Sequence, residues 1–225
     1  MELLLLAAIL WVAVHIGLSG TKLRGQVVAR LGENGFRILF SLLSAGTLML
    51  LVVAYSRAGT TPLWTAPGWL RWLLALLMLP AFVLFVASFR RNPTAMGGEA
   101  FAAAEPRGIQ RITRHPMMVA FTTWAAVHVV GNGDTASLLF FGAFLVTTLA
   151  GMPSIDAKLA ARAPDAWARL AATTSILPFG AILAGRNRLV LSEIGWVVPA
   201  IGLVAWAAML YFHQAIFGAA PVAMG

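Results

Sequence analysis

The stretch PMMVAFTTWAAVHVVGNGDTASLLFFGAFLVTTLAGM, residues 116–152, decides the fold. It holds two uncharged apolar runs, 116–130 and 136–152, joined by little more than Gly131-Asn132-Gly133-Asp134. Gly and Asn tolerate positive φ, so this tetrapeptide suits a tight connection. A helix crosses a bilayer with about 17–25 predominantly apolar residues; the second run only just reaches that length and the first falls short of it. The reading is an antiparallel pair of membrane helices.

Four more apolar runs flank this pair, at 3–19, 36–55, 69–89 and 194–217. The expected architecture is an all-α integral membrane bundle of about six transmembrane helices, one domain over residues 1–225. Composition agrees. The 225 residues are 60% hydrophobic and 11% charged, with a mean hydropathy of +0.85. A soluble domain carries roughly 25% charged residues, and fewer than half that number cannot dress a soluble surface. Met1-Glu2 opens without the basic start of a secretory signal, so the first run reads as a retained helix. Pro80 and Pro199 lie inside the third and sixth runs and should kink them.

The formal charge of +8 would suggest nucleic acid in a soluble protein. Here its distribution points to the membrane instead. Lys22, Arg24, Arg30 and Arg37 follow the first run; Arg90, Arg91, Arg107, Arg111 and Arg114 follow the third; Lys158, Arg162, Arg169, Arg186 and Arg188 follow the fifth. Only Arg57 and Arg71 fall on the other side. Cytoplasmic loops accumulate Lys and Arg, so both termini should lie outside, in the periplasm for an inner-membrane protein. The partner is the lipid bilayer, and a nucleic-acid partner is not expected. Residues 155–173 alternate charged and apolar positions and read as a cytoplasmic interfacial helix broken near Pro164. The apolar SILPFGAILAG at 175–185 is too short to span, and reads as re-entrant or interfacial.

The chain has no cysteine, which removes disulfides, thiolate catalysis and Cys metal sites. All eight acids fall at run ends or in loops, which gives a proton relay little support. The histidines are His15, His115, His128 and His213. His15 shares a helix face with Trp11 and Leu18, and His128 with Phe121, Trp124 and Ala125. An imidazole among small and aromatic neighbours either ligates a haem iron or hydrogen-bonds a neighbouring helix. At 1.5 Å per residue His15 lies about 20 Å below the outer surface and His128 about 10 Å, an offset of about two turns. His213, late in the sixth run, competes with His15 as a partner for His128. Arg114-His115-Pro116 opens the fourth run, with Arg111 one turn earlier. Two cations so spaced can share one phosphate of a headgroup or cofactor, with His115 beside them. The competing reading is a positively charged helix start.

His15-Ile16-Gly17, RITRHPMMVAFTTWAAVHVVGNGD at 111–134, and the stretch from Asp156 through Trp167 to TSILPF at 174–179 together resemble the NnrU family. These are bacterial membrane proteins associated with denitrification gene clusters. The resemblance covers nearly the whole chain. That family is similar to plant ζ-carotene isomerases, which use haem b to isomerise a cis double bond. The resemblance implies haem ligands at His15 and His128. Ala125 and the absence of cysteine exclude any switch to a thiolate ligand. The Arg-His-Pro start also resembles isoprenylcysteine methyltransferase-like membrane enzymes, whose cofactor is S-adenosylmethionine. Three functions follow. One is a haem b protein of nitrogen-oxide metabolism or cis-double-bond isomerisation, with an apolar substrate or a nitrogen-oxide reductase system as partner. The second is a methyltransferase-like enzyme. The third is an accessory protein that handles haem or assembles a reductase.

Overall fold

The computed structural model describes residues 1–90, 92–94 and 104–222. Arg91, expected in the basic cluster after the third run, lies outside the described residues. Among the described residues every regular element is helical: α1 (Glu2–Val12, continued by a π-helical turn, Ala13–Leu18), α2 (Lys22–Arg57), α3 (Gly68–Ala87), α4 (Ile109–Ile112), α5 (Pro116–Asn132), α6 (Thr135–Arg162), α7 (Pro164–Thr173), α8 (Gly180–Leu183), α9 (Leu191–Ile194) and α10 (Val197–Phe217). Each of the six apolar runs is a helix. α2, α3, α6 and α10 are long and apolar enough to cross a membrane, while Glu2–Leu18 and the 17-residue α5 are shorter. The protein is an all-α membrane bundle whose outer side chains are those that lipid accepts, such as Leu42, Met49 and Val204.

The chain divides into two compact units. The first comprises Met1–Ala66 and His128–Gly151. Its core is Leu4, Ala7 and Trp11 of α1, Leu51 and Ala54 of α2, and Phe140, Phe141 and Phe144 of α6. α2 begins at Lys22, fourteen residues before its apolar run, and breaks at Gly32, whose φ of 72° glycine tolerates. The tight turn closes as expected. Gly133 takes φ 66°, and Asp134 caps α6 by accepting from the Ser137 N–H (2.9 Å) and hydroxyl (2.7 Å). Residues 60–64 strap this turn: the Leu63 N–H donates to the Gly133 carbonyl at 2.7 Å, and the Thr60 hydroxyl to Asp134 at 2.5 Å. Partial burial pushes the Asp134 carboxyl upward, but hydrogen bonds from Thr60, Ser137 and Ala136 outweigh it and hold it below the usual range.

The second unit comprises Pro67–Val127 and Met152–Gly225. Ala81 and Leu84 of α3, Val119 and Ala120 of α5 and Met152 of α6 form one cluster. α10 packs on α3, where the Trp206 indole donates to the Ala75 carbonyl at 2.7 Å. α10 starts at Val197, so Pro199 sits in its first turn, where the missing N–H costs nothing, and the kink expected there does not arise. The expected interfacial helix is two elements. Residues 155–162 continue α6 past Pro153, and α7 starts afresh with Pro164 at its first position. α7 turns Ala166 and Leu170 onto Leu159, so its apolar face is covered by its own chain.

Candidate functional site

His15 and His128 belong to the same unit. His15 sits in the π turn, an irregularity that recurs at functional sites. Its Nδ1 lies 2.9 Å from the Trp11 carbonyl. A carbonyl only accepts, so Nδ1 carries the proton and Nε2 of the neutral ring keeps its lone pair. The ring packs on Trp11 at 3.9 Å, tilted by 32°, and meets Phe40 edge-on at 5.4 Å. Trp11 packs on Phe144 at 4.7 Å, Phe144 on Phe140 at 5.4 Å, and Phe140 on Phe141 at 4.9 Å. His128 stacks on Phe141 at 4.6 Å. A continuous run of aromatic rings therefore joins the two imidazoles, and its ends rest on Phe141 and Phe144, one turn apart on α6. In the same unit an apolar groove of about 510 Å³ is lined by Ala8, Ile9, Val12 and Ala13 of the first helix and Leu138, Leu139, Gly142, Ala143 and Val146 of α6; neither histidine lines it.

The other nominated residues lie in the second unit, and each has a protein partner. Arg111 is held by both carboxylate oxygens of Glu193 (2.7 and 2.9 Å) and by the Asn187 side chain at 2.7 Å. This pairing and the Gly108 N–H at 2.8 Å bring the Glu193 carboxyl down to about 2, and the Glu193 bond raises the Arg111 pKa. Arg114 grips Asp156 through Nε (3.0 Å) and Nη2 (2.5 Å), with its guanidinium 5.1 Å from the centre of the Trp167 ring. His115, with no exposed surface, donates from Nε2 to Asp156 at 2.7 Å, and its Nδ1 has no hydrogen-bond partner among the described residues. Arg114 and His115 thus share Asp156, Arg111 is held separately by Glu193, and each guanidinium is neutralised by the chain itself. His213 is also in this unit, with Nδ1 2.7 Å from the Ala219 carbonyl and its ring on Phe217.

The sequence puts Trp11 on the His15 face and Asp156 in the stretch that resembles the family, but shows neither as a partner of Thr147 or of Arg114 and His115, and it does not single out Glu193, Thr147 or the α6 phenylalanines. Phe140, Phe141 and Phe144 do carry a signal, since their i, i+1, i+4 spacing makes one face of a helix beginning at a tight turn.

This is an all-α membrane protein in which half-buried His128 meets the aromatic face of α6 directly and half-buried His15 meets it through Trp11. The chain belongs to the family described as NnrU protein, whose model matches residues 3–221. Among curated proteins it is 28% identical over 194 residues to the maize (Zea mays) 15-cis-zeta-carotene isomerase, chloroplastic, covering 83% of this chain and 52% of that one. The Arabidopsis thaliana protein of the same name is 28% identical over 189 residues, covering 82% and 51%. The chain thus spans about half the length of the curated relatives it matches. No solved structure matches it significantly.

Proposed function

We propose that this protein binds haem b through His15 and His128 and isomerises a cis double bond in an apolar, membrane-held substrate. The observation that carries the proposal is the run of packed aromatic rings, tilted or edge-on except where His128 stacks on Phe141, that joins these two histidines, with a lone pair left on Nε2 of His15. The isomerase chemistry is supported by the names of the maize and Arabidopsis relatives.

The residues present fit the group. The donors are two imidazoles, the chain has no cysteine, and no cluster of three or more His, Asp or Glu suited to zinc occurs among the described residues. His15 and His128 would hold the haem, which would supply a redox-active iron tuned by the hydrogen bonds of these two histidines. Trp11, Phe140, Phe141 and Phe144 surround the imidazoles with apolar rings, and the apolar groove between the first helix and α6 offers a surface for an apolar chain. Arg111 and Arg114 are better read as structural, because Glu193 and Asp156 already neutralise them. The same pairing weighs against a site for S-adenosylmethionine, and no observation favours a nitrogen-oxide or accessory role over isomerisation. The basic asymmetry supports a bacterial inner-membrane location with both termini periplasmic.

The test is conversion of a cis polyene by the purified protein in lipid discs, followed by chromatographic separation of isomers. Wild type should convert it under reducing or oxidising conditions, and His128→Ala should not. No conversion by haem-loaded wild type under either condition would overturn the isomerase reading.

A further inference from the structure

We propose that Trp11 is a positioning residue for His15, and that Thr147 of α6 holds Trp11 in that role; the assignment rests on the haem reading above. Trp11 is only 8% exposed although it lies on an outer-facing apolar helix. It touches His15 twice. Its carbonyl accepts from Nδ1 at 2.9 Å, and its indole stacks under the imidazole at 3.9 Å and 32°. The first contact selects the tautomer and the second fixes the plane of the ring. Together they leave one nitrogen, Nε2, as the atom that can ligate. A ligating histidine commonly gives its other N–H to a carbonyl or carboxylate, which fixes orientation and raises basicity. Trp11 supplies that carbonyl from one turn earlier on the same helix.

The indole needs an anchor of its own, and Thr147 provides it. The Trp11 N–H donates to Thr147 Oγ1 at 3.2 Å. The Thr147 hydroxyl has the carbonyls of Ala143 (2.9 Å) and Phe144 (3.0 Å) within reach, so its proton is directed back onto α6 and its lone pairs are offered to Trp11. Thr147 is 7% exposed, so an indole N–H deprived of this acceptor would be stranded among apolar groups. On its other side the indole packs on Phe144 at 4.7 Å. The relay Thr147–Trp11–His15 thus ties a histidine of the first helix to α6, the helix whose Phe141 carries His128.

Haem titration into the haem-free protein, with 15N NMR of His15 in that same protein, tests this. The expected results are an Nδ1–H tautomer in wild type and haem affinity about 10-fold or more weaker in both Thr147→Val and Trp11→Phe. The double variant should be little worse than either single one, since both break one hydrogen bond. Thr147→Ser, which keeps the hydroxyl, should bind haem as wild type does. An Nε2–H tautomer in wild type, or unchanged haem affinity in both single variants, overturns the positioning role while leaving the haem reading intact. A wild-type protein that takes up no haem overturns both.

Discussion

Arg111 and Glu193 are 82 residues apart, yet three charge-assisted bonds from one guanidinium and one N–H converge on this pair and its neighbour Asn187. Glu193 has an ordinary value of 4.5 and is held at about 2 in the folded protein. A depressed carboxyl stabilises the fold fully above 4.5, and that contribution fades as pH falls towards 2. Melting temperature in detergent should therefore drop between pH 4.5 and 2, and Glu193→Gln should start lower and lose less over that interval. An identical pH profile in the variant would contradict the role given to this pair. At this scale the sequence was partly legible. His15 and His128 stood out because ionisable groups in apolar runs are costly. Trp11 and Thr147 did not, because nothing local marks a hydrogen bond between residues 136 positions apart. Asp156 is likewise invisible as a partner of Arg114 until α5 and α6 are folded, and without it Arg114 looks like a free cation awaiting a phosphate.

The helices themselves were legible from apolar length, and their ends were not. Apolar runs mark what lipid covers, whereas α2 and α6 carry on into polar sequence, to Lys22 at one end and Arg162 at the other. The π turn at Ala13–Leu18 has no composition that distinguishes it from α-helix. Turn chemistry was readable, and it makes a sharp prediction. Gly133 combines φ 66° with a Trp64 carbonyl oxygen placed where a Cβ would stand. Gly133→Ala should cost about 2 kcal/mol, the sum of αL strain and displacement of the strap, read as a lower unfolding midpoint. Helix packing makes another. A Cβ on Gly202 of α10 would meet Val83 Cα at 2.9 Å and Val83 N at 3.0 Å. Small residues let membrane helices approach this closely, so Gly202→Ala should push α10 off α3 and cost about 1–3 kcal/mol. Unchanged melting in Gly202→Ala would mean that this contact contributes little.

Over the whole molecule, fourteen of the sixteen Lys and Arg residues fall after the first, third and fifth apolar runs. Reporter fusions at Gly25 and Gly97 should therefore read as cytoplasmic and a fusion at Gly225 as periplasmic. A cytoplasmic signal at Gly225 would show that the chain crosses an odd number of times. The family match covers residues 3–221, and haem ligation by His15 and His128 is the central chemical claim proposed for it. The absorption spectrum of the purified protein tests that feature most directly. Wild type should show the Soret band of low-spin, bis-histidine haem b. His15→Ala and His128→Ala should each shift it to high-spin or abolish it, while His115→Ala and His213→Ala leave it unchanged. A colourless wild type, or a spectrum disturbed by His213→Ala and indifferent to His15→Ala, would contradict the account.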